Sequence, residues 1–339
     1  MVNIAINGFG RIGRLLFRQM YKHPQLKISA VNDLGDAEDL AYVLQRDSVY
    51  GPFEEQVSLE DGALVAGKSR VRMLQEKDAS KLPWKDLAIG IVVEATGVFE
   101  SYEKARVHLQ AGAKRVVITA PAKDEDTEDA KTVLMGVNEE EAAACLLTSN
   151  GSCTTNAASP VIQILQEELG IEKALLNTAH GYTATQNLVD GAAKGKDFRR
   201  GRAAALNIVP SSTGAAISVA KAIPSLQGKF DGIALRVPVI AGSIADITFL
   251  AKRKTSVEEV NAILAKAAES PRWKGILKVT HDQLVSTDIL KEPYGAIVDL
   301  NFTRVVDGDL VKVLSWYDNE WGYVATLVKH IEMVAKTLS

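Results

Sequence analysis

Two side chains that could act together in covalent catalysis stand out in the sequence: Cys153 and His180. Cys153 lies in the stretch SNGSCTTNAASP, residues 149–160, ahead of the helix-like run VIQILQEEL. Unpaired amide groups and the dipole at a helix start stabilise a thiolate, so we expect the pKa of this thiol to be lowered. His180 follows the apolar run KALLN and precedes a glycine, which indicates a strand end where an imidazole can shuttle a proton.

Each of these residues has an ordinary structural alternative. A single cysteine near a helix start is more often structural than catalytic, and a histidine at a strand end is often a hydrogen-bonded core residue. Pro160 lies too deep for a first-turn proline, which predicts either a kink or a later helix start. Cys145 and Cys153 are the two cysteines, and no Cys/His cluster has metal-ligand spacing. We therefore expect neither a disulfide framework nor a metal site.

Three further stretches carry groups that suit phosphate. In VPSSTGAAISVAKAI, Thr213 and Gly214 open a predicted helix, whose first amide groups can bind an anion. In GIALRVPV, period-two alternation places Arg236 opposite an apolar face, where a cation requires a partner. The stretch KDFRRGRAA holds three arginines, of which only one need contact a ligand: Arg199, Arg200 and Arg202. Hydroxyl donors complete the set: Ser152, Thr154 and Thr183.

A glycine-rich turn near the amino terminus predicts a dinucleotide site. The stretch INGFGRIG supplies Gly8, Gly10 and Gly13 as G-x-G-x-x-G, after a predicted strand and at a predicted helix start. Glycines permit a tight turn and close approach of the backbone to a pyrophosphate bound by the helix amides. About twenty residues further on, Asp33 ends the next strand, where a carboxylate accepts hydrogen bonds from ribose hydroxyls and repels a 2′-phosphate. The pattern favours NAD over NADP; a plain turn with a capping aspartate is the alternative.

Two later strands end in small polar residues. Thr96 and Gly97 follow IVVEA, and Thr119 follows VVI. Ligands of doubly wound sheets lie beyond the carboxyl ends of the strands, so we expect these residues on the nicotinamide side of the groove. Generic strand-end turns have the same composition.

The predicted secondary-structure elements that must position these groups follow two different patterns along the chain. Residues 1–152 alternate short apolar strands with helical patterns, which predicts an α/β Rossmann fold with a doubly wound parallel sheet. The pair Asp61-Gly62 predicts a hairpin that interrupts the parallel winding. Residues 153–318 carry longer alternating strands, typical of an α+β catalytic domain with a mostly antiparallel sheet. Residues 319–339 return to a helical pattern. Two domains fit a chain of 339 residues.

Composition excludes several classes of partner. An apolar share of 47% and a charged share of 24% are those of an ordinary soluble protein. The net charge of −3, without any block of like charge, gives no footprint for nucleic acid or an acidic membrane. The segment MVNIAINGFG lacks the features of a signal peptide, and the apolar runs are too short to span a bilayer. We expect a cytoplasmic protein.

Taken together, a series of motifs resembles phosphorylating glyceraldehyde-3-phosphate dehydrogenase almost from end to end: NGFGRIGR, VND, EATGVF, ITAPAKD, SCTTN, YTATQ, RAAALNIVPSSTGAA, LRVPV and WYDNEWGY. The resemblance implies a cytoplasmic, glycolytic homotetramer that uses NAD. It implies oxidation of D-glyceraldehyde 3-phosphate with inorganic phosphate to 1,3-bisphosphoglycerate, through a cysteine thiohemiacetal and a thioester. It also implies that the last helix, 319–339, completes the NAD-binding domain formed by residues 1–152.

The resemblance assigns roles by motif. It implies that Cys153 is the nucleophile and His180 the base. Thr183 and Arg236 match the site for the substrate phosphate. The site for the attacking phosphate matches four residues, with Arg200 as a less certain fifth: Ser152, Thr154, Thr213 and Gly214. Asn319 in YDNE matches the residue that holds the nicotinamide carboxamide. The remaining cofactor contacts fall on three positions: Arg11, Ile12 and Lys77.

Some positions depart from the family pattern. Gly151 replaces an alanine, Ala157 replaces a second cysteine, and Gly181 stands where alanine or serine is common. The stretch DGAAKGKDF is longer than its usual counterpart, which puts cofactor preference and subunit contacts in question. Two alternatives follow: a sister enzyme acting on erythrose 4-phosphate, and a NAD-binding regulatory or scaffold protein with an idle site. The intact SSTGAA motif favours the triose.

Overall fold

The computed structural model of the protein describes residues 1–193 and 195–338, which form two compact units. The first unit contains Met1–Gly151 together with residues 327–338. The second contains Ser152–Thr326. Among the described residues, no helix has both the length and the apolar character needed to cross a membrane.

The first unit is built on a nine-stranded sheet. Its strands are β1 (Val2–Asn7), β2 (Leu26–Asn32), β3 (Val57–Glu60), β4 (Ala63–Ala66), β5 (Ser69–Leu74), β6 (Ile91–Glu94), β7 (Arg115–Ile118), β8 (Ala130–Thr132) and β9 (Leu147–Ser149). They lie in the order β3-β4-β5-β2-β1-β6-β7-β9-β8, with antiparallel pairing confined to β3-β4-β5. The predicted Rossmann sheet and its antiparallel hairpin are confirmed; Asp61 and Gly62 form the turn, both with positive φ.

Short helices connect the strands of the first unit. They are α1 (Arg11–Met20), α2 (Ala37–Gln45), α3 (Tyr102–Ala105) and α4 (Val107–Gln110), and the chain ends in α8 (Trp321–Lys336). Helix α1 buries Leu15, Leu16, Phe17 and Met20, whose three-and-four spacing gives it one apolar face. The start of α8 is capped by Asp318, whose Oδ1 accepts hydrogen bonds from the amides of Glu320 and Trp321 at 2.9 Å each.

The second unit is built on a seven-stranded, mostly antiparallel sheet, as predicted. Its strands are β10 (Ile171–Gly181), β11 (Val209–Ser212), β12 (Phe230–Val237), β13 (Ser243–Ala251), β14 (Leu277–Thr280), β15 (Ala296–Val306) and β16 (Leu310–Tyr317). Their order is β11-β12-β10-β13-β16-β15-β14, and β10-β12 and β14-β15 are the parallel pairs. Three helices pack against this sheet: α5 (Cys153–Glu168), α6 (Ala215–Ala222) and α7 (Val257–Ala268).

Helix α5 begins at Cys153 although Pro160 lies inside it. The proline therefore does not delay the helix start, which was one of the two expectations. Ser152 fixes the start instead, because its Oγ accepts a hydrogen bond from the amide of Thr155 at 3.1 Å and its own amide donates to Thr155 Oγ1. Pro160 is fully packed on the buried side of α5, so tertiary packing offsets the lost backbone hydrogen bond.

Candidate active site

The second unit brings Cys153 and His180 into contact. Cys153 is the first residue of α5, and His180 is the penultimate residue of β10. The distance between Cys153 Sγ and His180 Nε2 is 3.3 Å, which is within hydrogen-bonding distance for sulfur. Cys153 is partly exposed, whereas His180 is only 3% exposed. The cysteine can therefore be approached by a substrate while the imidazole is held behind it.

Arg236 and the carbonyl of Gly181 fix the other side of the imidazole. His180 Nδ1 lies 2.6 Å from Gly181 O, and Arg236 Nη1 lies 3.2 Å from the same oxygen. In the arrangement in which Nδ1–H donates to this carbonyl, Nε2 is bare and accepts the proton of the Cys153 thiol. Arg236 Nη1, which can only donate, is also 2.7 Å from Nδ1, so this arrangement requires Arg236 to direct its N–H at Gly181 O; in either tautomer a permanent cation stands beside the ring.

These surroundings set the charge of the pair. Burial, followed by the cation of Arg236, lowers the pKa of His180 to about 3. Loss of solvation raises the pKa of Cys153 and outweighs Arg236 and the hydrogen bonds from Thr154, which lower it. The expectation of a lowered thiol pKa was therefore wrong, because desolvation of the anion exceeds the help from the helix start. At neutral pH the resting pair is therefore a thiol beside a neutral imidazole whose Nε2 lies within reach of the thiol proton.

Tyr317, which the sequence analysis did not single out, anchors the start of the helix. Its hydroxyl lies 2.9 Å from Thr154 Oγ1 and 2.8 Å from Thr178 Oγ1, and all three side chains are buried. Its ring also contacts that of His180, with centroids 5.9 Å apart. Its position beside Asp318 and Asn319 in the WYDNEWGY motif was the available signal. Tyr317 therefore connects α5, the helix that begins at Cys153, to β10 and β16.

The three arginines of residues 199–202 are separated by their partners. Arg199 pairs with Asp197 at 2.7 Å and Arg202 pairs with Asp190 at 2.8 Å. Arg200 instead donates to two hydroxyl groups, Thr185 Oγ1 at 3.2 Å and Ser211 Oγ at 2.7 Å. A carboxylate thus neutralises each of the other two arginines, whereas Arg200 keeps its charge for a ligand.

An open cavity of about 410 Å³ lies beside Arg200. It is lined by Ala184, Thr185, Gly195, Lys196, Asp197, Arg200 and Ser212. At its edge, Thr183 Oγ1 lies 2.9 Å from Thr185 Oγ1, which places the Thr183 hydroxyl in the same group of donors. The cation of Arg200 also contributes to lowering the pKa of Arg236, although burial is the larger cause. Two cations that repel each other favour an anion between them.

The other predicted anion site lies at the start of α6. Gly214 precedes the helix at its N-cap position, and Thr213 Oγ1 accepts a hydrogen bond from the amide of Ala215 at 3.2 Å. Strand β11, which leads to this turn, pairs with β12 so that Val209 is the register partner of Arg236. Arg236 is in turn the register partner of His180. The alternation predicted for β12 is present, but its apolar face is the outer one, since Ile233 is 54% exposed.

Asn319 is held with its oxygen turned into the protein. Oδ1 accepts hydrogen bonds from the amide of Gly242 and from Ser243 Oγ, both at 3.0 Å. Within residues 1–193 and 195–338, the Nδ2 group of this side chain has no hydrogen-bond acceptor from the protein. A fixed carboxamide donor is therefore available to a ligand carbonyl.

In the first unit, the three glycines of the predicted dinucleotide turn differ in the space available for a side chain. Gly8 has a φ of +98°, and a Cβ there would lie 2.6 Å from Ala95 C and Thr96 N. A Cβ on Gly13 would lie 2.1 Å from the carbonyl oxygen of Gly8. A Cβ on Gly10 would meet no atom within 4 Å. The backbone at Gly10 thus faces open space at the start of α1, where a pyrophosphate can approach the helix amides.

The remaining predicted cofactor residues surround this turn. Asp33 Oδ2 accepts a hydrogen bond from the amide of Phe9 at 2.6 Å, and Oδ1 accepts one from Gly35 at 2.8 Å. Arg11 forms an ion pair with Asp47 at 2.6 Å. Thr119 Oγ1 donates to the carbonyl of Glu94 at 3.0 Å. Four further positions are at least partly accessible: Ile12, Lys77, Thr96 and Gly97.

Comparison with known proteins gives one family. The model of the glyceraldehyde 3-phosphate dehydrogenase NAD binding domain matches residues 2–102, and that of the C-terminal domain matches residues 152–319. The chain is 47% identical to glyceraldehyde-3-phosphate dehydrogenase 1 of Streptomyces avermitilis. It is 45% identical to the Mycolicibacterium smegmatis enzyme of that name and 44% identical to that of Clostridium pasteurianum. Each alignment covers 99% of both chains.

Proposed function

The chain belongs to the glyceraldehyde-3-phosphate dehydrogenase family, and from this premise we propose that Cys153 is its nucleophile and His180 its base. The protein is a glycolytic oxidoreductase that uses NAD to oxidise and phosphorylate D-glyceraldehyde 3-phosphate to 1,3-bisphosphoglycerate. The observation that carries the residue assignment is the 3.3 Å contact between Cys153 Sγ and His180 Nε2.

The first step follows from the charge of the pair. As the sulfur of Cys153 bonds to the aldehyde carbon, its proton passes to Nε2 of the neutral imidazole, which returns it to the carbonyl oxygen, and a thiohemiacetal forms. His180 then accepts the hydroxyl proton of this intermediate while the thioester forms. The Gly181 carbonyl supports each protonation, because it accepts the Nδ1 proton at 2.6 Å and so orients the ring.

NAD fits the glycine turn of the first unit, where Gly10 is open and Gly8 and Gly13 tolerate no side chain. We propose that NAD is bound by the turn together with residues around it: Gly8, Gly10, Arg11, Ile12, Gly13, Asp33, Lys77, Thr96, Gly97 and Thr119. Asn319 supplies the fixed amide donor for the carboxamide. When bound, NAD supplies the acceptor for the hydride that leaves the substrate. We also propose that residues 1–152 and 319–339 form the NAD-binding domain and residues 153–318 the catalytic domain, whereas the compact units divide after Gly151 and after Thr326.

The two anions are divided between two groups of donors. Thr183 and Arg236 bind the phosphate of the substrate. The attacking phosphate is held by Arg200 and by groups at the starts of α5 and α6: Ser152, Thr154, Thr213 and Gly214. Thr154 contributes through the backbone, since its hydroxyl is bonded to Tyr317 in the core. Holding both reactants in place replaces part of the entropic barrier, for which effective molarities give up to about 7–11 kcal/mol.

The assignment is tested by NADH formation from glyceraldehyde 3-phosphate, with and without inorganic phosphate, and with NADP in place of NAD. We expect turnover that requires phosphate and NAD, and that iodoacetamide abolishes. Cys145→Ser is the matched control, because this thiol is buried and donates to Glu141 O, so the variant keeps both activity and sensitivity to alkylation. Cys153→Ser loses activity. Turnover that does not need phosphate, or a higher catalytic efficiency on erythrose 4-phosphate, would contradict the proposal.

We also propose that the enzyme is a cytoplasmic homotetramer. Large apolar side chains of the second unit are strongly exposed, as expected for surfaces that other copies cover: Leu188, Val189, Phe198, Leu206, Ile208 and Ile233. Light scattering after size exclusion tests the assembly, with four chains expected. A monomer whose activity does not depend on protein concentration would contradict it, and fractionation of cells tests the location.

A further inference from the structure

A buried polar cluster lies under the dinucleotide turn of the first unit. This Glu94 cluster consists of Asn7, Asn32, Trp84, Glu94 and His108, whose exposures range from 0% to 5%. Its members come from the ends of β1, β2 and β6, from the loop before β6, and from α4. A carboxylate is costly to bury without several hydrogen-bond donors, so its presence in this core requires an explanation.

Glu94 is surrounded by donors. Oε2 accepts hydrogen bonds from Asn7 Nδ2 at 2.6 Å and from His108 Nε2 at 3.0 Å. Oε1 accepts one from the amide of Thr96 at 2.8 Å and one from the hydroxyl of Thr96. Four hydrogen bonds to two oxygens hold the Glu94 carboxyl group in place from four directions.

Trp84 fixes the tautomer of His108. The indole Nε1 can only donate a hydrogen bond, and it lies 3.1 Å from His108 Nδ1. Nδ1 is therefore bare, and the single proton of the ring is on Nε2, where it points at Glu94. The histidine thus acts as a neutral donor, and its role is confined to orienting the carboxylate.

Asn7 and Asn32 extend the cluster to the neighbouring strand ends. Asn32 Nδ2 donates to Asn7 Oδ1 at 2.8 Å, and Asn32 Oδ1 accepts from the amide of Glu76 at 2.8 Å. The backbone follows the same path, since the amide of Gly8 donates to Asn32 O and that of Ala95 donates to Asn7 O. The ends of four strands, β1, β2, β5 and β6, are therefore joined through one buried acidic side chain.

We propose that Glu94 is the positioning residue of the dinucleotide turn, holding Thr96 against Gly8 so that the turn keeps the shape that a pyrophosphate requires. The backbones of Gly8 and Thr96 are in close contact, because a Cβ on Gly8 would be only 2.6 Å from Thr96 N. A displacement of Thr96 is thus passed directly to the turn. The inference rests on the proposed NAD site, on which Glu94, which is 2% exposed, acts through Thr96.

The test is the affinity for NAD, measured by calorimetry on the full-length protein, together with steady-state kinetics. Glu94→Gln keeps the shape of the side chain but places an amide N–H among donors, since only the Thr96 hydroxyl among the four partners can also accept. We expect the Kd for NAD to rise at least tenfold, which is about 1.4 kcal/mol. We expect kcat at saturating NAD to stay within threefold of the wild type, because the reacting groups are untouched.

Val92→Ala is the matched control. Val92 is fully buried on the same strand as Glu94 and packs in the apolar cluster that contains Trp84, but its side chain has no polar atoms, so its truncation lowers the melting temperature without removing a hydrogen bond to Glu94. We expect its NAD affinity to remain within twofold of the wild type. Equal losses of affinity in Val92→Ala and Glu94→Gln would overturn the proposal, since the cluster would then act only through stability. Unchanged affinity in folded Glu94→Gln would overturn it as well.

A second pair of variants applies if Glu94→Gln does not fold. His108→Leu removes one donor, whereas His108→Gln can still donate to Glu94 and accept from Trp84. We expect about threefold weaker NAD binding in the first and recovery to within twofold of the wild type in the second. Equal affinity in both would overturn the proposal. A wild-type protein that does not bind NAD would instead contradict the proposed function, and the two failures are thus distinguishable.

Discussion

Acidification is expected to weaken the first unit through His330. This imidazole is fully buried in α8, with Nε2 2.7 Å from Thr148 Oγ1 and Nδ1 3.1 Å from Asn150 Oδ1. Burial lowers its pKa from 6.5 to about 4. Between pH 6.5 and about pH 4, His330 is therefore protonated in the unfolded chain but not in the folded protein. The free energy of unfolding falls as the pH drops through this range.

The magnitude follows from the two pKa values of His330. A difference of about 2.5 at 1.36 kcal/mol per unit gives about 3 kcal/mol in total. About 2 kcal/mol of this is lost between pH 7 and pH 5, because the folded form is still unprotonated at pH 5 while the unfolded form is almost fully protonated. A loss of about 2 kcal/mol is between about one seventh and two fifths of the 5–15 kcal/mol by which domains are typically stable.

The assay is urea denaturation followed by circular dichroism at pH 7 and at pH 5, for the wild type and for His330→Gln. The variant is expected to lose about 2 kcal/mol less than the wild type on acidification, whatever its stability at pH 7. His180, whose pKa is also lowered, to about 3, contributes equally to both proteins and cancels. Equal losses in the two proteins, or an NMR titration of His330 near 6.5, would refute the reasoning.

Three further outcomes test the site. His180→Gln is expected to lower kcat by about 10²–10⁴, and the wild-type rate should show no loss from protonation of His180 between pH 8 and pH 5, because the pKa of this group is about 3. Arg200→Gln should raise the KM for phosphate at least tenfold, whereas Arg199→Gln, which loses only its pair with Asp197, should stay within twofold. Gly13→Ala should abolish NAD binding because its Cβ would meet Gly8 O at 2.1 Å, while Gly10→Ala, which meets no atom, should fold normally.

The sequence was sufficient for features that depend on local pattern. The alternation of short strands and helices predicted the parallel sheet of the first unit, and the Asp61-Gly62 pair predicted its hairpin. The position of Cys153 at a helix start also follows from local pattern, because Ser152 and Thr155 cap that helix whatever lies further along. Pro160 suggested a later helix start, which is wrong because packing, which cannot be read from the sequence, offsets the lost backbone hydrogen bond.

Features that depend on distant residues were not accessible in the same way. Tyr317 contacts Thr154 across 163 positions of the chain, so no spacing rule connects them. The choice among three neighbouring arginines depended on where Asp190 and Asp197 lie in the folded loop. The pKa of Cys153 depends on how much solvent is removed from its sulfur, and a helix start alone gives only one of the opposing contributions.

Sheet register connects these distant features to the chemistry. His180 and Arg236 are register partners on the parallel strands β10 and β12, so their side chains leave the same face of the sheet on neighbouring strands. A slip of one residue between these strands would turn Arg236 to the opposite face and bring Leu235 or Val237 beside the imidazole. The cation that, after burial, lowers the pKa of His180, and that we propose binds the substrate phosphate, would then be lost from the site. The pairing of two strands thus contributes to the neutral state of the proposed base and sets the position of the proposed anion site, so the proposed chemistry requires this sheet and not merely these residues.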